Sequence, residues 1–148
     1  MRVLLIGSGG REHALATALK RDSSLTELHV APGNPGIAKI ATCHEIDTKD
    51  NSAVISLAKN LKIDLVVVGP EAPLVNGLAD ACTQENIPCF GPSKAAAQLE
   101  GSKDFAKQVM KEAGVPTAQS LTCSTKEEIE KALDTFGAPY VVKHDGLA

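Results

Sequence analysis

The run Gly7-Ser8-Gly9-Gly10-Arg11-Glu12-His13 follows the apolar residues Val3-Leu4-Leu5-Ile6 and precedes a helix-length amphipathic stretch. A glycine turn between a strand and a helix presents backbone N–H groups beside the positive end of the helix, which suits a phosphate. The same turn also reads as a tight structural bend with no ligand. Arg11 adds a planar guanidinium that can hold two phosphate oxygens or form a surface ion pair with Glu12 or another neighbour. His13, alone in the first helical turn, reads as a hydrogen-bonded helix residue rather than a catalyst. A dinucleotide fingerprint needs a third glycine at position 12 and an acidic residue at the end of the second strand. This chain has Glu12 at the first place and Val30-Ala31-Pro32 at the second, so NAD is disfavoured.

Two further loops carry residue types suited to binding: Pro32-Gly33-Asn34-Pro35-Gly36 and Gly69-Pro70-Glu71-Ala72-Pro73. The first is a stiff turn that lets backbone approach a ligand, or simply a turn. The second sets Glu71 where a carboxylate accepts hydrogen bonds from sugar hydroxyls or an amine, or serves only as a helix N-terminal acid. Loops that follow parallel strands gather at the carboxyl edge of the sheet, the usual ligand edge of an open α/β fold.

The elements that must position these loops alternate regularly. Residues 3–6, 28–31, 41–46, 63–68 and 87–90 read as strands. Residues 10–20, 51–61 and 74–85 read as helices between them, the first with Ala14, Leu15, Ala18 and Leu19 on one face. Strand 3–6 is apolar throughout, as in a central parallel strand covered on both sides. The expected architecture is a doubly wound, Rossmann-like α/β sheet over residues 1–100 with helices on both faces. Beyond it, Ser102 is a helix N-cap for residues 103–112, and Ser124 with Glu127 forms a capping box for a helix ending near Phe136. Residues 119–123 and 140–143 read as strands, so residues 101–148 look like the incomplete start of an α+β domain.

Composition narrows the function. The chain has 148 residues and a formal net charge of -3, with no Trp, one Tyr and three Phe. It lacks both the basic charge and the stacking platforms of a nucleic-acid binder. No run of about 18 apolar residues is present to span a bilayer. Cys43, Cys82, Cys89 and Cys123 have neither C-x-x-C nor zinc spacing, which reads as reduced thiols of a cytoplasmic protein.

Taken in order, several segments resemble the glycinamide ribonucleotide synthetase family, the phosphoribosylamine–glycine ligases. They are Val3-Leu4-Leu5-Ile6-Gly7-Ser8-Gly9-Gly10-Arg11-Glu12-His13, Ala31-Pro32-Gly33-Asn34-Pro35-Gly36, Val66-Val67-Val68-Gly69-Pro70-Glu71-Ala72-Pro73, Gln98-Leu99-Glu100-Gly101-Ser102-Lys103 and Val141-Val142-Lys143-His144-Asp145-Gly146. His144 departs from the small residue common in the family. The resemblance implies a Rossmann-like (pre-ATP-grasp) domain followed by the start of an ATP-grasp domain. It also implies ATP-dependent joining of glycine to 5-phosphoribosylamine through a glycyl phosphate, in purine biosynthesis, with magnesium or else manganese. Gly9, Gly10, Arg11, Asn34, Gly69, Glu71 and Pro73 are then expected to bind phosphoribosylamine. Lys103 and Lys143 are expected to bind ATP phosphates. No catalytic residue or metal ligand is expected within these residues, because family chains continue into a phosphate-covering loop and acidic magnesium ligands.

The alternative is a stand-alone nucleotide- or dinucleotide-binding module. Among ATP-grasp enzymes, biotin carboxylases and a formate-using purine enzyme are closer rivals, against which Gly9-Gly10-Arg11-Glu12-His13 favours the glycine ligase. The 148-residue chain supplied with ATP, glycine and phosphoribosylamine is expected to release phosphate no faster than a protein-free control. Turnover like that of a full-length ligase refutes this expectation.

Overall fold

The computed structural model describes residues 1–146. The chain divides into two compact units, the first covering Met1–Ala97 and the second beginning at Gln98. In the first unit the strands are β1 (Arg2–Gly7), β2 (Glu27–Pro32), β3 (Thr42–Cys43), β4 (Leu65–Val68) and β5 (Cys89–Phe90). Between them run helices α1 (Gly10–Leu19), α2 (Asn51–Asn60), α3 (Glu71–Val75) and α4 (Leu78–Gln84), and α5 (Lys94–Gly101) follows β5. All strand pairs are parallel, in the order β3-β2-β1-β4-β5. The chain winds outward from β1 to β3, then returns to lay β4 on the other side of β1. The loops after β1 and β4 therefore diverge from adjacent strands, which creates a crevice at the carboxyl edge.

β1 is central because it is apolar on both faces. Leu4 and Ile6 pack with Val66 and Val68 against Val54, Ile55 and Ala58 of α2 and Leu78 and Cys82 of α4. Val3 and Leu5 pack with Leu28, Val30 and Val67 against Ala16 of α1 and Ile37. Each fully buried aliphatic side chain contributes about 1.5–3 kcal/mol relative to exposure. The sheet is thus layered by helices on both faces, as the continuous apolar run requires.

Several expected elements differ in detail. α1 turns a different face inward: Glu12 and Ala16 are buried, while Ala14, Leu15 and Ala18 are exposed. The inward line runs through residues 12, 16 and 19 because Glu12 is drawn beneath the glycine turn. The single helix expected over 74–85 is broken at Gly77, whose φ of 92° is left-handed, giving α3 and α4. The edge strands β3 and β5 are only two residues long, which limits the unpaired backbone they expose.

In the second unit, α6 (Lys103–Glu112) is capped as expected, Ser102 Oγ accepting from the Phe105 N–H at 3.1 Å. α7 (Lys126–Phe136) is capped one residue later than expected. Thr125 Oγ1 accepts from the Glu128 N–H at 3.2 Å, and the Glu128 carboxylate accepts from the N–H groups of Ser124 at 2.7 Å and Thr125 at 3.2 Å. Thr125 with Glu128 wins over Ser124 with Glu127 because one carboxylate then satisfies two backbone donors. Residues 119–123 and 140–143 form no strands. No described neighbour offers them a ladder, and Val141 and Val142 remain 81% and 74% exposed.

Leu4→Ala, at the centre of the larger cluster, is expected to cost about 2–5 kcal/mol in urea unfolding. Val141→Ala is expected to stay within about 0.5 kcal/mol. Equal effects would contradict this division between core and surface.

Candidate functional site

The carboxyl ends of β1 and β4 lie side by side, with Ile6 opposite Val68, so Gly7-Ser8-Gly9 and Gly69-Pro70 flank one crevice. Glu12 fills its base. It is the third residue of α1 and folds back so that Oε2 accepts a hydrogen bond from the Gly9 N–H at 2.6 Å. The side chain is 3% exposed. Three glycines make room for it. A Cβ on Gly7 would stand 2.5 Å from Glu12 Cγ, one on Gly9 would stand 2.8 Å from Oε2, and one on Gly69 would stand 2.6 Å from Cγ and overlap Oε1. Such separations force the carboxylate or the loop to move.

Oε1 of Glu12 is buried and has no hydrogen-bond partner among the described residues. An unsatisfied buried acceptor costs about 1–3 kcal/mol, and more when charged. The other buried polar side chain among the described residues, His29, is satisfied on both ring nitrogens, by His44 Nε2 at 3.0 Å and Glu27 Oε2 at 3.2 Å. Among the described residues no other buried side-chain nitrogen or oxygen is left without a partner.

Above Glu12, Arg11 and Glu71 join the two loops. Nη1 and Nη2 of Arg11 donate to Oε1 and Oε2 of Glu71 at 2.8 and 3.3 Å. Of the ion pairs open to Arg11 in the sequence, with Glu12 or another neighbour, the structure shows one with a neighbour, Glu71. The side chains are 68% and 33% exposed, so the pair is worth only about 0.2–1 kcal/mol and can yield to a competing anion. The Arg11 hydrogen bond, aided by the Glu71 backbone amide, holds the Glu71 carboxyl below its usual range.

The third loop is tied to the first through Asn34, whose Nδ2 donates to the Ser8 carbonyl at 2.8 Å. Its Oδ1 accepts from the N–H groups of Gly36 and Ile37, each at 2.9 Å. His13 lies over Gly36, where an added Cβ would come within 2.6 Å of the ring. Gly10 differs from its neighbours because a Cβ there would meet nothing within 4 Å, so there is open space beside the Gly10 Cα. The structure thus gathers Gly9, Gly10, Arg11, Asn34, Gly69 and Glu71 at one edge of the sheet. Pro73 is buried within α3 and offers no polar group to the crevice.

In the second unit, Lys103 and Lys143 line one cleft of about 590 Å³ together with Asp104 and Asp145. Lys103 Nζ donates to the Gly146 carbonyl at 2.5 Å. Asp145 caps α6 from the far end of the unit, accepting from Lys103 N–H at 2.6 Å, Ser102 Oγ at 3.0 Å and Asp104 N–H at 3.3 Å. Desolvation pushes its carboxyl up, but these hydrogen bonds outweigh it and hold the group below the usual range. His144 is exposed. Among the described residues no group of His, Cys, Asp or Glu side chains is arranged to hold a metal ion. No helix there is long and apolar enough to cross a membrane.

Comparison with known proteins decides the family. Residues 1–100 match the family model "Phosphoribosylglycinamide synthetase, N domain", and residues 101–148 match "Phosphoribosylglycinamide synthetase, ATP-grasp (A) domain". The chain belongs to the phosphoribosylglycinamide synthetase family. It is 60% identical over 148 residues to a phosphoribosylamine–glycine ligase of Streptomyces coelicolor and 52% identical over 153 aligned positions to that of Corynebacterium ammoniagenes. In both cases all of this chain is covered but only 36% of the relative, so the chain spans about a third of the length of these synthetases. The crystal structure of the Thermotoga maritima ligase matches 99% of this chain and 34% of its own, with a TM-score of 0.74 at 34% identity. An N5-carboxyaminoimidazole synthetase of Staphylococcus aureus complexed with ADP matches at TM-score 0.73 and 19% identity, a likeness of fold.

Sequence reasoning treated Glu12 as a defect in a dinucleotide fingerprint and as one ion-pair partner open to Arg11, and did not foresee its buried place beneath the glycine turn. The signal was present, since an acid at the third helical position beneath a glycine turn can reach back to the turn's N–H groups. Asp145 carried no such signal, because it caps a helix more than 40 residues earlier in the chain.

Because Glu71 is held below its ordinary range, the Arg11–Glu71 link is fully formed above that range. It is lost as pH falls through the depressed value. In Arg11→Ala, the Glu71 carboxyl carbon followed by NMR is expected to titrate at higher pH than in the wild type. An unchanged titration contradicts the assigned cause.

Proposed function

We propose that this chain is the substrate-side part of a phosphoribosylamine–glycine ligase and that its first unit holds the sugar phosphate. The reading rests chiefly on the convergence of three loops at the β1–β4 crevice, with Arg11 next to the open space beside Gly10. Family membership supports it. The phosphate sits against the Gly10 and Arg11 backbone, where the helix end favours an anion, and Arg11 exchanges its hold on Glu71 for the phosphate. Glu71 is then released to accept a hydroxyl or amine of the sugar, with Asn34, Gly69 and Pro73 fixing the loops around it.

Over the whole ligase the reaction is ATP-dependent. ATP phosphorylates the glycine carboxylate, and the phosphoribosylamine nitrogen attacks the acyl carbon of glycyl phosphate. Phosphate leaves, giving glycinamide ribonucleotide for purine biosynthesis. Phosphorylation turns a poor acceptor into one with a good leaving group, so the protein's task is positioning and charge neutralisation. Lys103 and Lys143 suit ATP phosphates, since two ammonium groups line one cleft. The described residues do not fit a magnesium or manganese site. A cytoplasmic setting accords with four free cysteines.

Calorimetric titration of the chain with ribose 5-phosphate and with NAD tests this reading. Binding of the sugar phosphate is expected, with Arg11→Ala costing about 1.5–3 kcal/mol of its affinity. Tight NAD binding together with silence toward the sugar phosphate overturns it.

A further inference from the structure

We infer that Glu12 reads the ligand at the crevice: its unpartnered Oε1 accepts a hydrogen bond from the hydroxyl or amine at C1 of the bound sugar phosphate. The inference rests on the sugar-phosphate reading above and adds the group that recognises the other end of the ligand.

Three observations carry it. First, Oε1 is buried and lacks a donor among the described residues, whereas Oε2 is satisfied by the Gly9 N–H at 2.6 Å. A buried acceptor without a protein partner calls for a donor from elsewhere, and at the ligand edge of the sheet a bound ligand can supply it. Second, Glu12 already supplies an anion to the glycine turn. A phosphate drawn under the turn, as in a dinucleotide site, would meet a like charge and find the Gly9 N–H taken. The phosphate is therefore displaced outward to Gly10 and Arg11, and the inner end of the crevice favours a donor. Third, the glycine at position 69 leaves only backbone beside Oε1, since a Cβ there would overlap it. Gly69 and Pro70 are themselves partly exposed, and their turn must give way for a donor to reach Oε1. One carboxylate thus excludes a pyrophosphate and selects a sugar phosphate that carries a hydrogen-bond donor at C1.

The test uses Glu12→Gln, in which the amide oxygen still accepts from Gly9 while an NH2 replaces Oε1. Wild type and variant are titrated with ribose 5-phosphate, with 1,4-anhydroribitol 5-phosphate, which lacks the C1 hydroxyl, and with inorganic phosphate. The wild type is expected to prefer ribose 5-phosphate to the anhydro analogue by about tenfold or more. Glu12→Gln is expected to lose that preference while binding inorganic phosphate at least as well as the wild type. The same preference in both proteins overturns the role of Glu12 and leaves the sugar-phosphate reading standing. Failure of the wild type to bind either sugar phosphate overturns both. If the variant does not fold, the wild-type Glu12 carboxyl carbon is followed by NMR. Its signal should move with ribose 5-phosphate and not with the anhydro analogue, and a signal indifferent to both overturns the inference.

Discussion

A carboxylate buried at the base of a glycine turn constrains the first unit more than any other polar group. Glu12 is 3% exposed and touches the turn after β1 and the turn after β4 at once. Placing it there requires glycine at positions 7, 9 and 69, draws α1 onto the face that carries Ala16, and sets the separation of the two loops. The helices that follow those loops begin with Arg11 and Glu71 in their first turns, and the bidentate pairing of these two side chains spans the crevice that Glu12 underlies. Asn34 then joins the third loop through the Ser8 carbonyl.

The electrostatics follow from the same placement. The N-terminal end of α1 attracts negative charge, and the chain supplies that charge itself through Oε2 of Glu12. A glycine at position 12 would leave the turn free for a pyrophosphate. With Glu12 there, the anion-binding capacity moves outward to the exposed first turn and the Arg11 guanidinium. The ion pair above is exposed enough to exchange, whereas the buried carboxylate below is fixed by packing. The site therefore joins a rigid floor to a labile rim.

Much of the first unit was legible in the sequence because a doubly wound fold writes itself in long apolar strands. Val3-Leu4-Leu5-Ile6 and Leu65-Val66-Val67-Val68 had no other reading than central strands, and the ligand edge followed from their direction. Resemblance to a family then named the loop residues. The packing face of α1 was not legible. Periodicity pointed to Ala14, Leu15, Ala18 and Leu19, but a polar residue took the inward line, and hydrophobic patterning cannot signal a buried carboxylate. Gly77 broke a helix that its neighbours' propensities favour, because a left-handed residue is invisible in a pattern of apolar spacing. In the second unit the local signals held: Ser102 caps α6, and a capping box opens α7 with a shift of one residue. The strands expected over 119–123 and 140–143 needed partners from elsewhere, and no local pattern guarantees a partner.

Glu12 and the glycines around it act as one packed unit, and a double-mutant cycle on Gly69 and Glu12 measures that coupling. Unfolding free energies are measured for the wild type, Gly69→Ala, Glu12→Ala and the double variant. Gly69→Ala is expected to cost about 1–3 kcal/mol beside Glu12 and clearly less once Glu12 is Ala, because the methyl then occupies space the carboxylate has left. An equal cost of Gly69→Ala in both backgrounds contradicts it.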